Sequence, residues 1–152
     1  MKTLARAQDR EELLRRLRTV RADSPRRWGL MTAHQMVCHL GDACRMGSGD
    51  VRVSDASGFA QRTVIKWIAL YLPLKWPPGI PTRPEIDRQI IGVTSGDFAA
   101  DLTATVSLVE AFAARAGSRD WPVHPIFGRL SESAWMRWGY LHVDHHLRQF
   151  GH

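Results

Sequence analysis

The stretch SESAWMRWGYLHVDHHLRQF, residues 131–150, decides how this chain folds. Its apolar residues recur every three or four positions, which is the spacing of a helix with one buried face. Ser131 is a favourable N-cap residue, and Leu130 and Trp135 have the spacing of a hydrophobic staple around it. The stretch therefore predicts a long amphipathic helix. Its core stripe comprises Met136, Tyr140, Val143, Leu147 and Phe150.

A second stripe of the same helix carries polar side chains that can do chemistry. At about 100° per residue, His142 and His146 lie one turn apart, beside Trp135, Trp138 and Gln149. Two imidazoles at i and i+4 can bind one ion, a spacing that recurs in helical zinc sites. Histidines near an apolar stripe are also often hydrogen-bonded core residues, so a metal is favoured only if a third ligand joins them.

The rest of the chain shows helical patterns and almost no strand signal. Apolar residues at helical spacing predict three more main helices: residues 9–22, opened by an Asp9/Glu12 capping box, residues 32–47, opened by a Thr32/Gln35 capping box, and residues 97–117. Residues 59–72 predict a shorter apolar helix, and residues 73–84 contain five prolines and must form an irregular loop. The pattern favours an all-α fold, a four-helix bundle with a long crossover, in a single domain over residues 1–152.

Charge and hydropathy limit the classes of partner. The net charge is +6, but the arginines are scattered rather than clustered with aromatic residues, so nucleic acid is not the expected partner. The most apolar run, residues 64–74, contains Lys66 and Pro73 and is too short to span a bilayer. No integral membrane contact is expected.

The two cysteines indicate a reducing compartment. Cys38 and Cys44 lie six positions apart on a predicted helix, turned about 120° from each other, so they should not form a disulfide. Residues 1–16 lack the apolar stretch of a signal peptide. We expect a cytoplasmic protein.

The third histidine is expected on the second helix. In MVCHLGD, residues 36–42, His39 lies between Met36 and Ala43 on the inner side of the helix. Cys38 points about 100° away from His39 and is not expected to be a ligand. His34 lies in the first turn, where a surface or capping role is expected.

Three pieces of the chain carry a resemblance to a known family: WGLMTAHQMVCHLGD (28–42), LPLKWPPGIPTRPE (72–85) and HPIFGRLSESAWMRWGYLHVDHHLRQFG (124–151). They resemble the DinB-like superfamily of DinB/YfiT-like metalloenzymes, and in particular a branch that ends in an HPxFGxLS…HxDHHLRQFG segment. The resemblance implies a bundle of up-down-down-up topology, often a homodimer. It also implies a divalent metal held by one histidine of the second helix and two of the last, which here are His39, His142 and His146.

Three neutral imidazoles leave an open coordination position, as in catalytic zinc sites. A metal held this way can activate a thiolate or a water molecule as a nucleophile. The first hypothesis is therefore a metal-dependent enzyme on a small-molecule substrate, similar to thiol S-transferases or hydrolases of the superfamily. Zinc is the first choice; nickel, iron or manganese would fit the same ligands, and a low-molecular-weight thiol is a possible cofactor. The alternative is a non-catalytic, stress-associated or binding module in which the metal is structural.

Further side chains are candidates for catalysis. Asp42, three positions after His39, can orient a ligand or accept a proton, and Gln149 can hydrogen-bond a water molecule bound to the metal. His124 precedes the last helix and can act as an acid or base near the open side of the metal. A solvated carboxylate and a solvated loop histidine are the alternatives for Asp42 and His124.

A third hypothesis concerns VIKWIALYLPLKW, residues 64–76, which with the basic surface can contact a membrane interface or a partner protein. Packing of this stretch over the bundle, or in a homodimer, is favoured.

Overall fold

The structure, a computed structural model, describes residues 1–152 and consists of helices joined by loops. The helices are α1 (Ala7–Leu17), α2 (Ala33–Ser48), α3 (Lys66–Tyr71), α4 (Arg88–Ile91), α5 (Phe98–Ala114) and α6 (Glu132–Gln149). A π-helical turn (Gln61–Ile65) leads into α3, and a 3-10 turn (Pro84–Ile86) leads into α4. The predicted all-α fold is confirmed. None of the helices is long and apolar enough to cross a membrane.

Side-chain caps fix the starts of the three long helices where the sequence predicts them. The Thr32 hydroxyl accepts the Gln35 N–H and the Gln35 side chain accepts the Thr32 N–H, which completes the capping box of α2. Asp97 caps α5, and Ser131 caps α6 by accepting the Ala134 N–H. The left-handed backbone of Gly49 (φ 89°) ends α2.

Helix α1 differs from its prediction at both ends. It begins at Ala7 and ends at Leu17, so the predicted range of 9–22 is wrong. The Asp9/Glu12 capping box is also wrong, because Asp9 lies inside the helix and its carboxylate accepts the Thr3 N–H at 3.0 Å. Asp9 therefore caps the turn that precedes α1 instead of the helix itself.

Two side-by-side helix pairs run in parallel. The Leu4 N–H, just before α1, donates to the Met136 carbonyl in the first turns of α6, and Arg16 at the end of α1 pairs with Asp144 further along α6. The contacts advance together along both helices, so α1 and α6 have the same direction.

The second parallel pair is α2 with α5. His34 at the start of α2 contacts Asp101 at the start of α5, and a Cβ on Gly47 at the end of α2 would lie 2.5 Å from the Phe112 ring near the end of α5. Gly47 is thus required for this close approach.

Helices α2 and α6 run in opposite directions. The end of α2 at Gly47 adjoins Trp135 at the start of α6, whereas His39 in the middle of α2 contacts His142 in the second half of α6. This antiparallel contact brings histidines that are 103 positions apart in the sequence to the same point.

The core is one connected cluster of 26 buried hydrophobic residues drawn from α1, α2, α3, α5, α6 and the loops beside them. Trp135, Phe112 and Met36 are among its largest fully buried side chains. The crossover between α2 and α5 packs α3 against α6 and α4 against α2. Cys38 and Cys44 are both free thiols, as the sequence predicts.

Candidate metal centre

Three histidine rings converge where α2 faces α6. The Nε2 atoms of His39 and His142 lie 3.1 Å apart. The His146 ring lies 4.8 Å from that of His39 and 4.9 Å from that of His142, between centroids. One ligand atom from each of the three lies within 4.8 Å of the others. The structure thus brings together the three histidines that the sequence selects.

The outer nitrogen of His39 is held by the crossover. Its Nδ1–H donates to the Ile86 carbonyl at 2.9 Å. Since a carbonyl only accepts, the proton of the neutral ring lies on Nδ1 and the Nε2 lone pair faces the other histidines. The 3-10 turn that contains Ile86 therefore selects the tautomer that can bind a metal.

The outer nitrogen of His146 is held by two successive hydrogen bonds, from His146 to Gln149 and from Gln149 to Trp28, which we call the Gln149 relay. The Gln149 Nε2 donates to the Trp28 carbonyl at 2.9 Å, which fixes the orientation of the amide, so its Oε1 accepts from His146 Nδ1 at 2.9 Å. Gly29 leaves room for this amide, because a Cβ there would lie 2.3 Å from the Gln149 Nε2. The sequence predicts a bond from Gln149 to metal-bound water; the structure places its amide behind His146, on the side away from the other two histidines.

All three rings are neutral near pH 7. Burial lowers the pKa of His39, and it lowers the pKa values of His142 and His146 well below 6.5, helped by the charges of the neighbouring histidines. Neutral imidazole is the form that binds metals. Burial and tautomer thus both prepare the rings as ligands.

The geometry fits one small divalent ion. Zn–N bonds of 2.0–2.1 Å at tetrahedral angles separate ligand nitrogens by about 3.3 Å, close to the observed distance between His39 and His142. Each of two ligands also donates its outer N–H to an oxygen acceptor, which is the usual support of a metal-bound histidine.

A cavity of about 400 Å³ adjoins the three histidines. Its walls are mainly apolar and come from α3, the proline-rich loop, the loop before α6, and α6 itself. Trp76 and Trp138 lie edge-on or tilted against the His142 ring, at 6.3 and 4.8 Å between centroids. Trp138 lines the cavity, whereas Trp135 is a core residue outside the lining.

His145 also lines this cavity and is 7% exposed. The crossover covers this flank of α6 with Trp76, whose ring lies 6.1 Å from the His145 ring between centroids. Burial lowers its pKa.

His124 is a buried residue of the cavity wall, not a solvated loop residue. Its Nδ1 accepts the N–H groups of Ile126 and Phe127, each at 3.1 Å. Its backbone pairs with Gly128, and its ring stacks on Phe127. Burial lowers the pKa of His124 to about 3, so the ring is neutral and its proton lies on Nε2.

Asp42 is bound on the side of α2 that faces the crossover. Its carboxylate accepts two hydrogen bonds from Arg88, at 2.6 and 2.8 Å, and both side chains are buried. A third bond comes from Arg45 at 3.2 Å. The structure thus places Asp42 in an ion pair that fastens α4 to α2, where it holds the Ile86 turn beside His39.

A second polar cluster lies on another face of α2. His34 and Cys38 both contact Asp101 of α5, at 2.8 and 3.4 Å, and Ser95 donates its N–H to the same carboxylate. The surface or capping role expected for His34 is wrong, because its side chain binds across helices. Although burial acts to raise it, these hydrogen bonds lower the pKa of Asp101 to about 2. Sequence reasoning missed the cluster, since only the pairing of α2 with α5 reveals it.

Fold and site together define an all-helical protein with three converging histidines, two buried and one partly buried, that could hold a metal ion. The chain belongs to the family described as Protein of unknown function (DUF1569), whose model matches residues 6–152. No curated protein matches the chain. No solved structure matches it either.

Proposed function

We propose that this protein is a metal-dependent enzyme that uses His39, His142 and His146 with an open fourth position, as a thiol S-transferase-like or hydrolase-like catalyst on a small molecule. One observation carries the proposal: two Nε2 atoms from different helices lie 3.1 Å apart, while the outer nitrogens of His39 and His146 bind oxygen acceptors. Zinc is the proposed metal, with nickel, iron or manganese as substitutes.

The proposed fold is a single DinB-like four-helix bundle of up-down-down-up topology. The parallel pairs α1/α6 and α2/α5, together with the antiparallel contact of α2 with α6, support this topology. The crossover with α3 and the proline-rich loop then covers the open side of the metal centre.

The chain's own residues would supply binding and orientation. A divalent metal would provide Lewis-acid activation of a water molecule or a thiol. His39, His142 and His146 would hold the metal, and Gln149 would keep His146 in its ligating tautomer. The apolar walls would exclude bulk water and bind the substrate, which strengthens electrostatic interactions inside the cavity.

Metal content and turnover of the purified protein test the proposal. We expect about one zinc per chain, by mass spectrometry of the metal, and a large loss of bound zinc in His142→Ala. His152→Ala is the matched control, because His152 lies at the chain end and contacts Thr19 and Ser24 instead of the cluster. Thiol transfer to electrophiles and ester hydrolysis are then screened. Turnover that persists in metal-free His142→Ala would refute the proposal.

The alternative is a stress-associated or binding module with a structural metal. The ligands belong to α2 and α6, so a bound ion would join two distant parts of the chain. A metal that raises thermal stability while no thiol-transfer or hydrolysis rate depends on it would favour this alternative.

A homodimer in the cytosol is also proposed. The free thiols of Cys38 and Cys44 support a reducing compartment. Large exposed apolar side chains, among them Phe59 (85%) and Trp67 (58%), support an interface between copies. Light scattering on size-exclusion chromatography should give twice the monomer mass for the wild type and less for Trp67→Lys.

A further inference from the structure

Most of the unpartnered buried polar atoms of this protein lie around one cavity. Five buried side-chain nitrogens make no hydrogen bond. Three of them belong to residues that line the cavity beside the metal centre: Arg83 Nε, His124 Nε2 and His145 Nδ1. Buried polar groups are normally hydrogen-bonded, and an unpaired one destabilises the fold. Unpaired polar atoms on residues that line one cavity can hydrogen-bond a molecule that enters it.

Two of the three are donors that need an acceptor. The Nδ1 of His124 already accepts two backbone N–H groups, so its free Nε2 carries the proton. The His124 ring lies 5.0 Å from the Trp138 ring and 5.1 Å from the Trp135 ring, between centroids, and its residue lines the cavity. Arg83 Nε is a donor in every protonation state of the guanidinium near neutral pH.

The charge of the cavity has one sign. Lys75 and Arg83 line it, and no aspartate or glutamate does. The five histidines in its wall, which contribute no negative charge, are His39, His124, His142, His145 and His146. A divalent metal would add further positive charge. Among the lining residues, charge therefore favours an anionic ligand over a cationic one.

The remaining surface of the cavity is apolar. Ile65 and Ile68 of the α3 region, Trp76 and Ile80 of the proline-rich loop, and Phe127 contribute to its walls. At about 400 Å³, the cavity has the size of a small-molecule site. Its occupant must have an apolar body.

We propose that this cavity binds a small organic anion with an apolar body, such as a carboxylate, whose acidic group accepts hydrogen bonds from His124 Nε2–H and Arg83. Such an anion would be the substrate class of the proposed enzyme, and in that respect the inference rests on the proposed function. His124 acts as a neutral hydrogen-bond donor that positions the anion, instead of the acid or base that its sequence position suggests.

Binding of matched six-carbon probes tests the proposal on the full-length chain, as purified and after metal removal. We expect hexanoate to bind at least tenfold more tightly than hexylamine, which is cationic at pH 7, by titration calorimetry in both forms. Equal affinities, or tighter binding of hexylamine, would overturn the proposal.

Two variants test the named donors. His124→Asn keeps a side-chain acceptor for the Ile126 and Phe127 N–H groups but removes the distant donor. Arg83→Gln removes the cavity charge, and Arg119→Gln removes an equal charge at an exposed position outside the cavity. We expect His124→Asn and Arg83→Gln each to weaken hexanoate binding by roughly 10- to 100-fold, because each loses a hydrogen bond to a charged group. Arg119→Gln should bind like the wild type.

A spectroscopic measurement keeps the test decisive if a variant fails to fold. Nitrogen-edited NMR of the wild-type chain should show the His124 Nε2–H proton, and hexanoate should shift it more than hexylamine does. A proton that hexanoate leaves unmoved, held by a buried water or by the Trp138 ring, would refute the assignment.

The two proposals fail separately. Hexanoate binding that depends on His124 and Arg83 in a chain that binds no metal would contradict the proposed enzyme and leave the anion site in place. Binding of one zinc per chain, without any preference for hexanoate over hexylamine, would contradict the anion site and leave the proposed metal centre in place.

Discussion

At the scale of single residues, the metal centre depends on one amide behind it. Gln149 accepts the His146 Nδ1–H only because the Trp28 carbonyl fixes its orientation. Gln149→Leu should remove this support and weaken zinc binding by about 10- to 100-fold, as for other outer-shell partners of histidine ligands. Competition with a chromogenic chelator measures the affinity, and circular dichroism of the metal-free chain checks the fold.

Gly29→Ala should disturb the Gln149 relay by steric contact. Its Cβ would lie 2.3 Å from the Gln149 Nε2, so the amide must move and zinc affinity should fall. Gly117→Ala is the matched control, because Gly117 also has a positive φ (91°) but open space at its Cβ position. Both variants place a Cβ at a positive φ, and only Gly29→Ala should affect the metal. Equal zinc affinities in the two variants would show that the relay does not matter.

His124 should make the stability of the metal-free chain dependent on pH. Burial sets the pKa of His124 at about 3 in the folded state, against 6.5 ordinarily. Between these values the unfolded chain binds a proton that the folded chain excludes, so stability is lost as pH falls below about 6.5. At pH 5 the loss from His124 is about 2 kcal/mol relative to pH 7.

Urea unfolding at pH 7 and pH 5 measures this effect. Other buried histidines lower stability in acid as well, but they are present in both the wild type and His124→Asn. The wild type should therefore lose about 2 kcal/mol more than the variant between the two pH values. Equal losses would mean that His124 is accessible to protons in the folded chain.

At the scale of elements, the Asp42–Arg88 ion pair joins the crossover to α2. Asp42→Asn leaves a buried guanidinium without its counter-charge and should lower the free energy of unfolding by about 3 kcal/mol, within the range for breaking buried pairs. Arg45→Gln removes a half-exposed partner of the same carboxylate and should cost under about 1 kcal/mol. Chemical denaturation of both variants checks the difference.

Loss of the Asp42–Arg88 ion pair should also weaken metal binding. The 3-10 turn that ends at Ile86 lies two residues before Arg88, and its carbonyl holds His39 Nδ1. Zinc affinity should therefore fall in Asp42→Asn and stay close to the wild-type value in Arg45→Gln. A fall in turnover at saturating zinc, in folded Asp42→Asn, would instead indicate the proton-accepting role that the sequence suggests.

Elements were predictable where local chemistry alone determines them. Capping residues and apolar spacing located α2, α5 and α6, and the prolines located the irregular loop. The ends of α1 were not predictable, because Asp9 binds the preceding turn. The short α4 was missed since its stability comes from Asp87 and from a buried ion pair across the fold. The unusual π-helical turn before α3 has no signal in the sequence that we can identify.

In the candidate site, too, local sequence predicts some features and only the packed fold determines the others. Helical periodicity alone predicts that His142 and His146 lie on one stripe, and the amphipathic pattern of α2 predicts that His39 faces inward. The partners that fix their tautomers, Ile86 and Trp28, belong to loops whose positions only the packed molecule defines. The sequence therefore indicates the ligands and not the groups behind them.

At the scale of the whole molecule, a bound metal would join α2 to α6 across 103 positions of sequence. A ligand that binds only the folded state stabilises it by about 2.7 kcal/mol at a free concentration of 100 times its Kd. For a chain of 152 residues, this raises Tm by roughly 5 to 10 °C.

Thermal unfolding followed by circular dichroism, with and without buffered zinc, measures the shift. His146→Ala should abolish it while His34→Ala, which alters only the second cluster on α2, should retain it. Equal shifts in both variants would mean that zinc binds away from the three histidines. If His34→Ala keeps the full rise in Tm and His146→Ala loses it, the stabilising metal lies between α2 and α6. A single ion at that position would couple the folding of these two distant helices to the assembly of the cavity.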